Sequence, residues 1–382
     1  MQQNGKKYGV LLLGGNRTHQ ENYALSFAQD ARCRLVAFAD EPDAPPERIT
    51  LARSLAESMD LPFIDLDAAL AREDVHIVSL CTDVERRGRI GAKCAEAGKH
   101  VYLDKPMALN AEDANRIVDA VAKSGVRSQM FSNIHSAWAR TVQRALTSGR
   151  IGELQAIHCD VLFSKGHPGT APVGEKRIQK PTLEHYSFVE AKPEMFDVGV
   201  YAVSMVNWLT QKRVQRVFGG TANYFFKEHR DCGLEDFGAL VLDLEDGITA
   251  TIVGGRYGWQ SHAQGGIRKV HLIGTEGTLT FDASANRLEV FAAEPAFEPP
   301  TPHPLDPMGM WSSTQSEIGM RPKQQWIDVG SDDDGPREFS AFVDCVENGV
   351  ESEMNAEFAA HSVEIICAGY RSAASGEAIE LN

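Results

Sequence analysis

A lysine at the end of an apolar run is the first residue in this chain with a claim to chemistry. Val101-Tyr102-Leu103 reads as a buried parallel strand and is closed by Asp104-Lys105-Pro106. Proline has no N–H to give a sheet ladder, so the strand stops there and Lys105 is presented at a carboxyl strand end, where open α/β sheets take ligands. An ammonium in such a crevice can hydrogen-bond a substrate oxygen and stabilise charge that develops on it. A second stretch is Leu13-Gly14-Gly15-Asn16-Arg17-Thr18-His19, a glycine turn after one apolar run, followed by another run that ends in Asp40. Glycine turn, helix, strand and acid reproduce the layout of a dinucleotide site. Asp40 lies 26 residues after Gly14, near the usual interval of about 20. A carboxylate there accepts hydrogen bonds from a ribose diol and repels a 2′-phosphate. No arginine follows it directly, so NAD is favoured over NADP. The full glycine pattern would place glycine also where Asn16 and His19 stand. Asn16 tolerates the left-handed conformation, and N–H groups at the helix start face a phosphate, with Arg17 adding charge. The alternative for this turn is a plain βα connection that binds nothing.

The elements that must position these residues alternate through the first third of the chain. Strand-like runs at Tyr8–Leu13, Arg34–Ala39, Val75–Cys81, His100–Leu103 and Val126–Phe131 are separated by helical patterns near 20–30, 47–59, 84–97 and 111–124. In the last, Ala114, Ile117, Val118, Val121 and Ala122 share one face between Asn110, a favoured N-cap, and Gly125, a favoured C-terminal stop. Such alternation predicts βαβ units and a doubly wound parallel sheet. From about residue 150 the texture changes to Leu154–Phe163, Val214–Phe226, Phe237–Leu244, Ile248–Gly254, Lys269–Ile273 and Thr278–Phe281, a mostly antiparallel sheet with a hairpin turn at Asp246-Gly247. A helix is expected over Met205–Leu209 and two more at the end, the last from Ala356 to Ala374. The division expected is 1–131 for the first domain and 132–382 for the second. Two irregular stretches stand apart: 165–195, with Lys165, Lys176, Arg177, Lys180 and Lys192, and the proline-rich 294–325. Ordered loops of this length are functional or oligomer-forming more often than idle.

Bulk properties exclude several function classes. A net charge of −15 over 382 residues argues against nucleic acid or an anionic membrane as partner. No run approaches a membrane span, and the apolar run Val10–Leu13 after Lys6 and Lys7 is too short for a signal segment. Seven cysteines without a CxxC pair suit reduced thiols in a cytoplasmic protein, with no disulfide framework and no metal site.

Taken in order, the motifs resemble those of the glucose-fructose oxidoreductase / inositol dehydrogenase / rhizopine-catabolism (Gfo/Idh/MocA) family. Ala97-Gly98-Lys99-His100-Val101 with Asp104-Lys105-Pro106 is similar to the family's "AGKHV…EKP", with aspartate for glutamate. Ser148-Gly149-Arg150-Ile151-Gly152-Glu153-Leu154 is similar to its "SGxIGEL", and Asp197-Val198-Gly199-Val200-Tyr201 to its "DxGxH" in the tyrosine form. Glu338-Phe339 and Tyr370-Arg371-Ser372-Ala373-Ala374-Ser375-Gly376 match its C-terminal helices. Where the family carries "TPxxxH", this chain has Thr82-Asp83-Val84-Glu85-Arg86-Arg87. The resemblance implies a Rossmann domain, then an α/β domain whose open sheet joins subunits into a homodimer or homotetramer. It also implies a cis Lys105-Pro106 peptide, and a sugar, sugar derivative or cyclitol as substrate, oxidised or reduced at a secondary alcohol. Cofactor contacts are implied for Gly14, Gly15, Asn16, Arg17, Asp40, Thr82, Asp104, Lys105 and Pro106.

Oxidation of such an alcohol needs an acceptor for the hydroxyl proton while hydride leaves carbon. Tyr201 is the expected acceptor, its phenolate favoured by the Lys105 ammonium. Asp197 falls on the same face as Tyr201 if the stretch is helical, where it can orient the lysine or bind a neighbouring hydroxyl. His135 and His185 are expected at the substrate, with Tyr186, Trp259 and His262 as pocket walls. Two other functions fit the same scaffold: glycoside cleavage by transient oxidation on a retained NAD, and a non-catalytic binding regulator.

Overall fold

The computed structural model describes residues 8–15, 17–164, 177–187, 191–258, 265–283, 285–292, 303–311, 324–329 and 337–381. Its first sheet is built from β1 (Tyr8–Leu13), β2 (Cys33–Asp40), β3 (Phe63–Asp65), β4 (Ile77–Leu80), β5 (His100–Leu103) and β6 (Ser128–Met130). The connections carry α1 (Arg17–Gln29), α2 (Pro46–Ser58), α3 (Leu66–Leu70), α4 (Val84–Glu96) and α5 (Ala111–Ser124). All six strands are parallel in the order β3-β2-β1-β4-β5-β6. The order reverses between β1 and β4, and the carboxyl ends of those strands open a crevice there. The expected doubly wound sheet is therefore present. Helix α5 has the bounds its caps predicted, with Asn110 accepting from the Asp113 N–H and Gly125 left-handed.

Helix α6 (Ala137–Thr147) leads to the second sheet: β7 (Leu154–Ser164), β8 (Val214–Ala222), β9 (Phe237–Leu244), β10 (Thr249–Tyr257), β11 (Gly266–Gly274), β12 (Gly277–Asp282), β13 (Arg287–Ala292), β14 (Gln324–Asp328) and β15 (Ile379–Glu380). These nine strands run in the order β14-β13-β12-β11-β7-β10-β9-β8-β15 and are antiparallel except for β7 beside β10. Helices α7 (Glu194–Asp197), α8 (Gly199–Thr210), α9 (Lys227–Asp231), α10 (Arg337–Asn348) and α11 (Ala356–Ser375) complete the fold. The expected mostly antiparallel sheet is found, and Asp246 and Gly247 both take the positive φ of a tight hairpin.

One boundary is corrected. Val214–Phe226 is not a single strand, because the Asp236 carboxylate accepts the N–H groups of Tyr224, Phe225 and Phe226 at 2.8–2.9 Å and turns the chain into α9. Chain order and spatial grouping also part company at the end of the sequence. Helix α10 returns to the first sheet, where Phe339, Phe342 and Val343 join Phe27, Phe38 and Tyr102 in one apolar cluster. Helix α11 packs between α5 and β8, and its Ser372 Oγ accepts the Gly219 N–H at 2.9 Å.

Candidate active site

At the β1–α1 turn, Gly14 has φ +75°, and a Cβ there would lie 2.8 Å from the Thr82 Cα. Only glycine lets this turn press against the one that follows β4. A Cβ on Gly15 would meet Ala52 of α2 at 3.1 Å. Thr82 is buried, and its Oγ1 has no hydrogen-bond partner among the described residues. A left-handed glycine turn, a helix opening directly after it and an orphaned hydroxyl beside it fit the phosphate and ribose of a dinucleotide. Arg17 opens α1, and Asn16 lies outside the described residues. Asp40 ends β2 as expected, but its carboxylate is buried against Arg86 of α4, whose Nη1 stands 2.9 Å from Oδ1.

Lys105 follows β5, and its bond to Pro106 is cis. Asp104 points inward and is fully buried. Its carboxylate accepts from Tyr23 Oη at 2.7 Å and Arg87 Nη2 at 3.1 Å, and His19 Nδ1 lies 3.0 Å away. Burial would raise this acid, but Arg87 and His19 outweigh it and hold the carboxyl well below the ordinary range. Arg87, also fully buried, donates to the carbonyls of Thr82 (2.7 Å), Asp104 (2.8 Å) and Pro106. It therefore fixes both flanks of Lys105 from the helix beneath. Sequence reasoning passed over Arg87 and His19, although a signal was there. Arg87 interrupts the apolar face of α4 formed by Val84, Gly88, Gly91, Cys94 and Ala95, and it stands at the histidine of the family's "TPxxxH". His19 occupies the third glycine position.

The second half of the site comes from the break between α7 and α8. Val198 joins the two with φ −113° and ψ −44°, a stretched form of the right-handed helical region. The start of α8 docks on β10 so closely that a Cβ on Gly254 would lie 2.6 Å from the Gly199 Cα. This docking brings Asp197 and Tyr201 to Lys105. The lysine Nζ donates to the Asp197 carbonyl at 2.6 Å and to Oδ1 at 3.0 Å, and stands 5.1 Å from the centre of the Tyr201 ring. Oδ1 also accepts from the Tyr186 hydroxyl at 2.7 Å, and Oδ2 from Arg256 Nη2 at 3.1 Å. Burial would discharge both partners of the pair. Instead Asp197 holds the lysine above its ordinary value, while Lys105 and Arg256 hold Asp197 well below the carboxylate range. Both are charged. Tyr201 behaves otherwise than expected: burial pushes its hydroxyl up to about 12, and Lys105, lying over the ring, offsets only part of the rise. The expected pull of Lys105 toward the phenolate is present, but burial outweighs it.

Arg256 also donates to Glu194 Oε1 at 2.9 Å, and His229 Nε2 reaches the same oxygen at 2.9 Å. These supports were not legible, since their sequence neighbours carry no motif. Tyr186 is joined to the first domain as well: Glu85 of α4 accepts from the N–H groups of Tyr186 (2.7 Å) and Ser187 (2.8 Å), and His185 Nδ1 lies 2.7 Å from it. His185 is thus placed against Glu85. His135 Nδ1 lies 2.6 Å from Arg140, and its Nε2 is buried without a partner among the described residues. Burial and then Arg140 lower its pKa to about 4, so the ring is neutral. Trp259 and His262 lie outside the described residues.

Glu338 of α10 accepts the Ser132 N–H at 3.0 Å and Gln129 Nε2 at 3.4 Å beside β6. Burial outweighs these donors and pushes its carboxyl up to about 8. A folded-state pKa above the ordinary glutamate value means that the contribution to stability is complete below about pH 4 and is lost as pH rises through the folded value. The melting temperature is expected to fall between about pH 4 and pH 8 and then level off, and Glu338→Gln should flatten that fall by at least about 2 °C. Parallel melting curves for the two proteins would remove Glu338 from this role.

Comparison with known proteins bears on this geometry. Residues 8–132 match the model described as "Oxidoreductase family, NAD-binding Rossmann fold". Residues 139–280 match the GFO/IDH/MocA C-terminal domain. A dTDP-3,4-didehydro-2,6-dideoxy-alpha-D-glucose 3-reductase from Streptomyces violaceoruber is 26% identical over 66% of this chain and 69% of its own length. An inositol 2-dehydrogenase from Rhizobium meliloti (strain 1021) is 23% identical over 70% of this chain and 73% of its own. The crystal structure of an aldose-aldose oxidoreductase from Caulobacter crescentus in complex with glycerol superposes with a TM-score of 0.71 at 17% identity, covering 98% of this chain and 100% of the other.

Proposed function

The chain belongs to the GFO/IDH/MocA oxidoreductase family, and on that premise we propose that it transfers hydride between a nicotinamide cofactor and the secondary carbinol carbon of a sugar, sugar derivative or cyclitol. One observation carries the reading: Lys105, Asp197 and Tyr201, drawn from two domains, meet at the end of β5. The relatives named above, a sugar reductase and an inositol dehydrogenase, support the substrate class. NAD is the cofactor we propose, held by the turn at Gly14 and Gly15, by Thr82 and by Asp40. When bound, the nicotinamide supplies or accepts the hydride.

The residues of this chain handle the proton and the charge. The Lys105 ammonium donates to the substrate oxygen and stabilises negative charge that grows there. Asp197 keeps that ammonium charged and aimed, with Arg256 and Tyr186 holding Asp197 in turn. Tyr201 keeps its proton at neutral pH, so it is set to deliver a proton to the oxygen of a ketone under reduction. In the reverse direction it must first lose that proton. Glu85 holds residues 186 and 187, and with them the Tyr186 hydroxyl on Asp197, against the first domain. A reduced compartment suits the seven cysteines, none of which is joined in a disulfide among the described residues. Phe218, Val241, Phe291 and Trp326, exposed on the second sheet, suit the packing of a second copy into a homodimer or homotetramer.

The test is turnover by pH. With NAD and a panel of cyclitols and aldoses, kcat/KM for oxidation should rise about tenfold per pH unit below the Tyr201 pKa. Tyr201→Phe should lower it about 10²–10⁴-fold and flatten the profile. A profile that Tyr201→Phe leaves unchanged would overturn the proton role. Cleavage of a glycoside without net reduced nicotinamide would overturn the dehydrogenase reading in favour of transient oxidation on a retained cofactor.

A further inference from the structure

The end of β2 carries more positive charge than the sequence around it announces. Arg86, in the first turn of α4, reaches across the crevice to Asp40: Nη1 donates to Oδ1 at 2.9 Å and Nη2 to Oδ2 at 3.4 Å. The Glu41 N–H takes Oδ1 as well, at 2.8 Å. Arg86 also touches Glu41 at 3.4 Å and Asp83 at 3.3 Å. Glu41 is held in turn by Arg89 at 2.7 Å, and Asp83 by Arg48 at 2.9 Å. Three acids thus face three arginines. Burial works against the Arg86 charge, yet Asp40 beside it keeps the guanidinium above its ordinary value. The Arg86 Nε is buried and donates to no partner among the described residues.

A bare acid at this place selects NAD twice over, by accepting the 2′-hydroxyl and by repelling a 2′-phosphate. Here neither action is available in full. Both Asp40 oxygens are already engaged, and its charge is compensated at contact distance. A guanidinium with one N–H unclaimed among the described residues stands at the same point, and arginine is the side chain whose fork matches phosphate oxygens. We propose that Arg86 is the residue that sets cofactor choice, letting the site accept a 2′-phosphate by moving from Asp40 to the phosphate, so that NADP binds alongside NAD. The inference rests on the dinucleotide reading of the β1–α1 turn and revises its corollary that the Asp40 carboxylate favours NAD over NADP.

Calorimetric binding of NAD and NADP to the full chain tests it without recourse to turnover. The wild type should bind the two within about tenfold of each other. Arg86→Gln should weaken NADP at least about tenfold more than NAD, since one charge-assisted phosphate contact is lost. Arg86→Lys should recover part of that loss, and Asp40→Asn, which releases Arg86, should favour NADP further. Equal weakening of both nucleotides by Arg86→Gln would mark the residue as structural and overturn the proposal. So would a wild type that prefers NAD by more than about a hundredfold. If the wild type binds neither nucleotide, the dinucleotide reading itself falls, and this inference with it. That outcome is distinct from binding with an unaltered ratio.

Discussion

Lys105→Met should lose about 10³-fold or more in kcat while still binding NADH. Methionine keeps the length and much of the shape of the lysine stem, so the β5 end remains filled. What disappears is the ammonium that stabilises charge on the substrate oxygen, and contributions of this type are worth about 10²–10³ in rate. The proton step at Tyr201, a few ångströms away, adds to the loss. The fold should tolerate the change better than a broken buried ion pair ordinarily allows, a cost of about 3–5 kcal/mol. Asp197 keeps Arg256 and the Tyr186 hydroxyl after the lysine has gone. Nicotinamide fluorescence in the mutant should therefore still report binding, and absorbance should report no turnover. A kcat within tenfold of the wild type would remove Lys105 from the chemistry.

Arg87→Met should act on the fold first and on the rate second. The guanidinium is fully buried and is the partner of the equally buried Asp104. Its removal leaves a carboxylate with His19 and Tyr23 but without its full counter-charge, and strips three carbonyls around the Lys105 turn of their donors. A cost of about 3–5 kcal/mol is expected, which for a chain of this kind lowers Tm by about 2–4 °C per kcal/mol. The double variant Arg87→Met/Asp104→Asn should recover part of the loss, because the stranded charge is gone. Denaturant titrations of the single and double variants measure both effects. A single-mutant loss below about 1 kcal/mol, or strict additivity, would show that Arg87 does not hold this turn.

These two residues also mark where sequence reading succeeds and where it stops. Lys105 was legible because its cause is local: an apolar run, an acid and a proline state a strand and its end within six residues. Helix α5 was legible for the same reason, its N-cap and left-handed stop being adjacent in sequence to the face they bound. The Asp246-Gly247 hairpin belongs with them. Arg87 acts through atoms 17 and 19 positions away, and Arg86 through a carboxylate 46 positions away. Nothing in the spacing of Asp40 and its neighbours shows that an arginine from another βα unit will neutralise it. The Tyr201 hydroxyl is a further case. The lysine was foreseen, but the balance between its charge and the burial around the ring is a property of packing. Strands β13, β14 and β15 are short, and their existence depends on the ladder beside them, not on their own alternation.

The return of α10 to the first sheet has a consequence for how the protein is made. Phe339, Phe342 and Val343 cover a face formed by Phe27, Phe38 and Tyr102, although more than two hundred residues separate the two sets. A chain emerging from the ribosome completes β1 to β6 long before the helix that seals them exists. The nascent first domain therefore waits with an aromatic face open to solvent until nearly the whole sequence has been translated. Helix α11, packed between α5 and β8, follows after that. The two sheets are thus closed by the same late segment, and a truncation before residue 337 removes part of the core of the domain that was synthesised first.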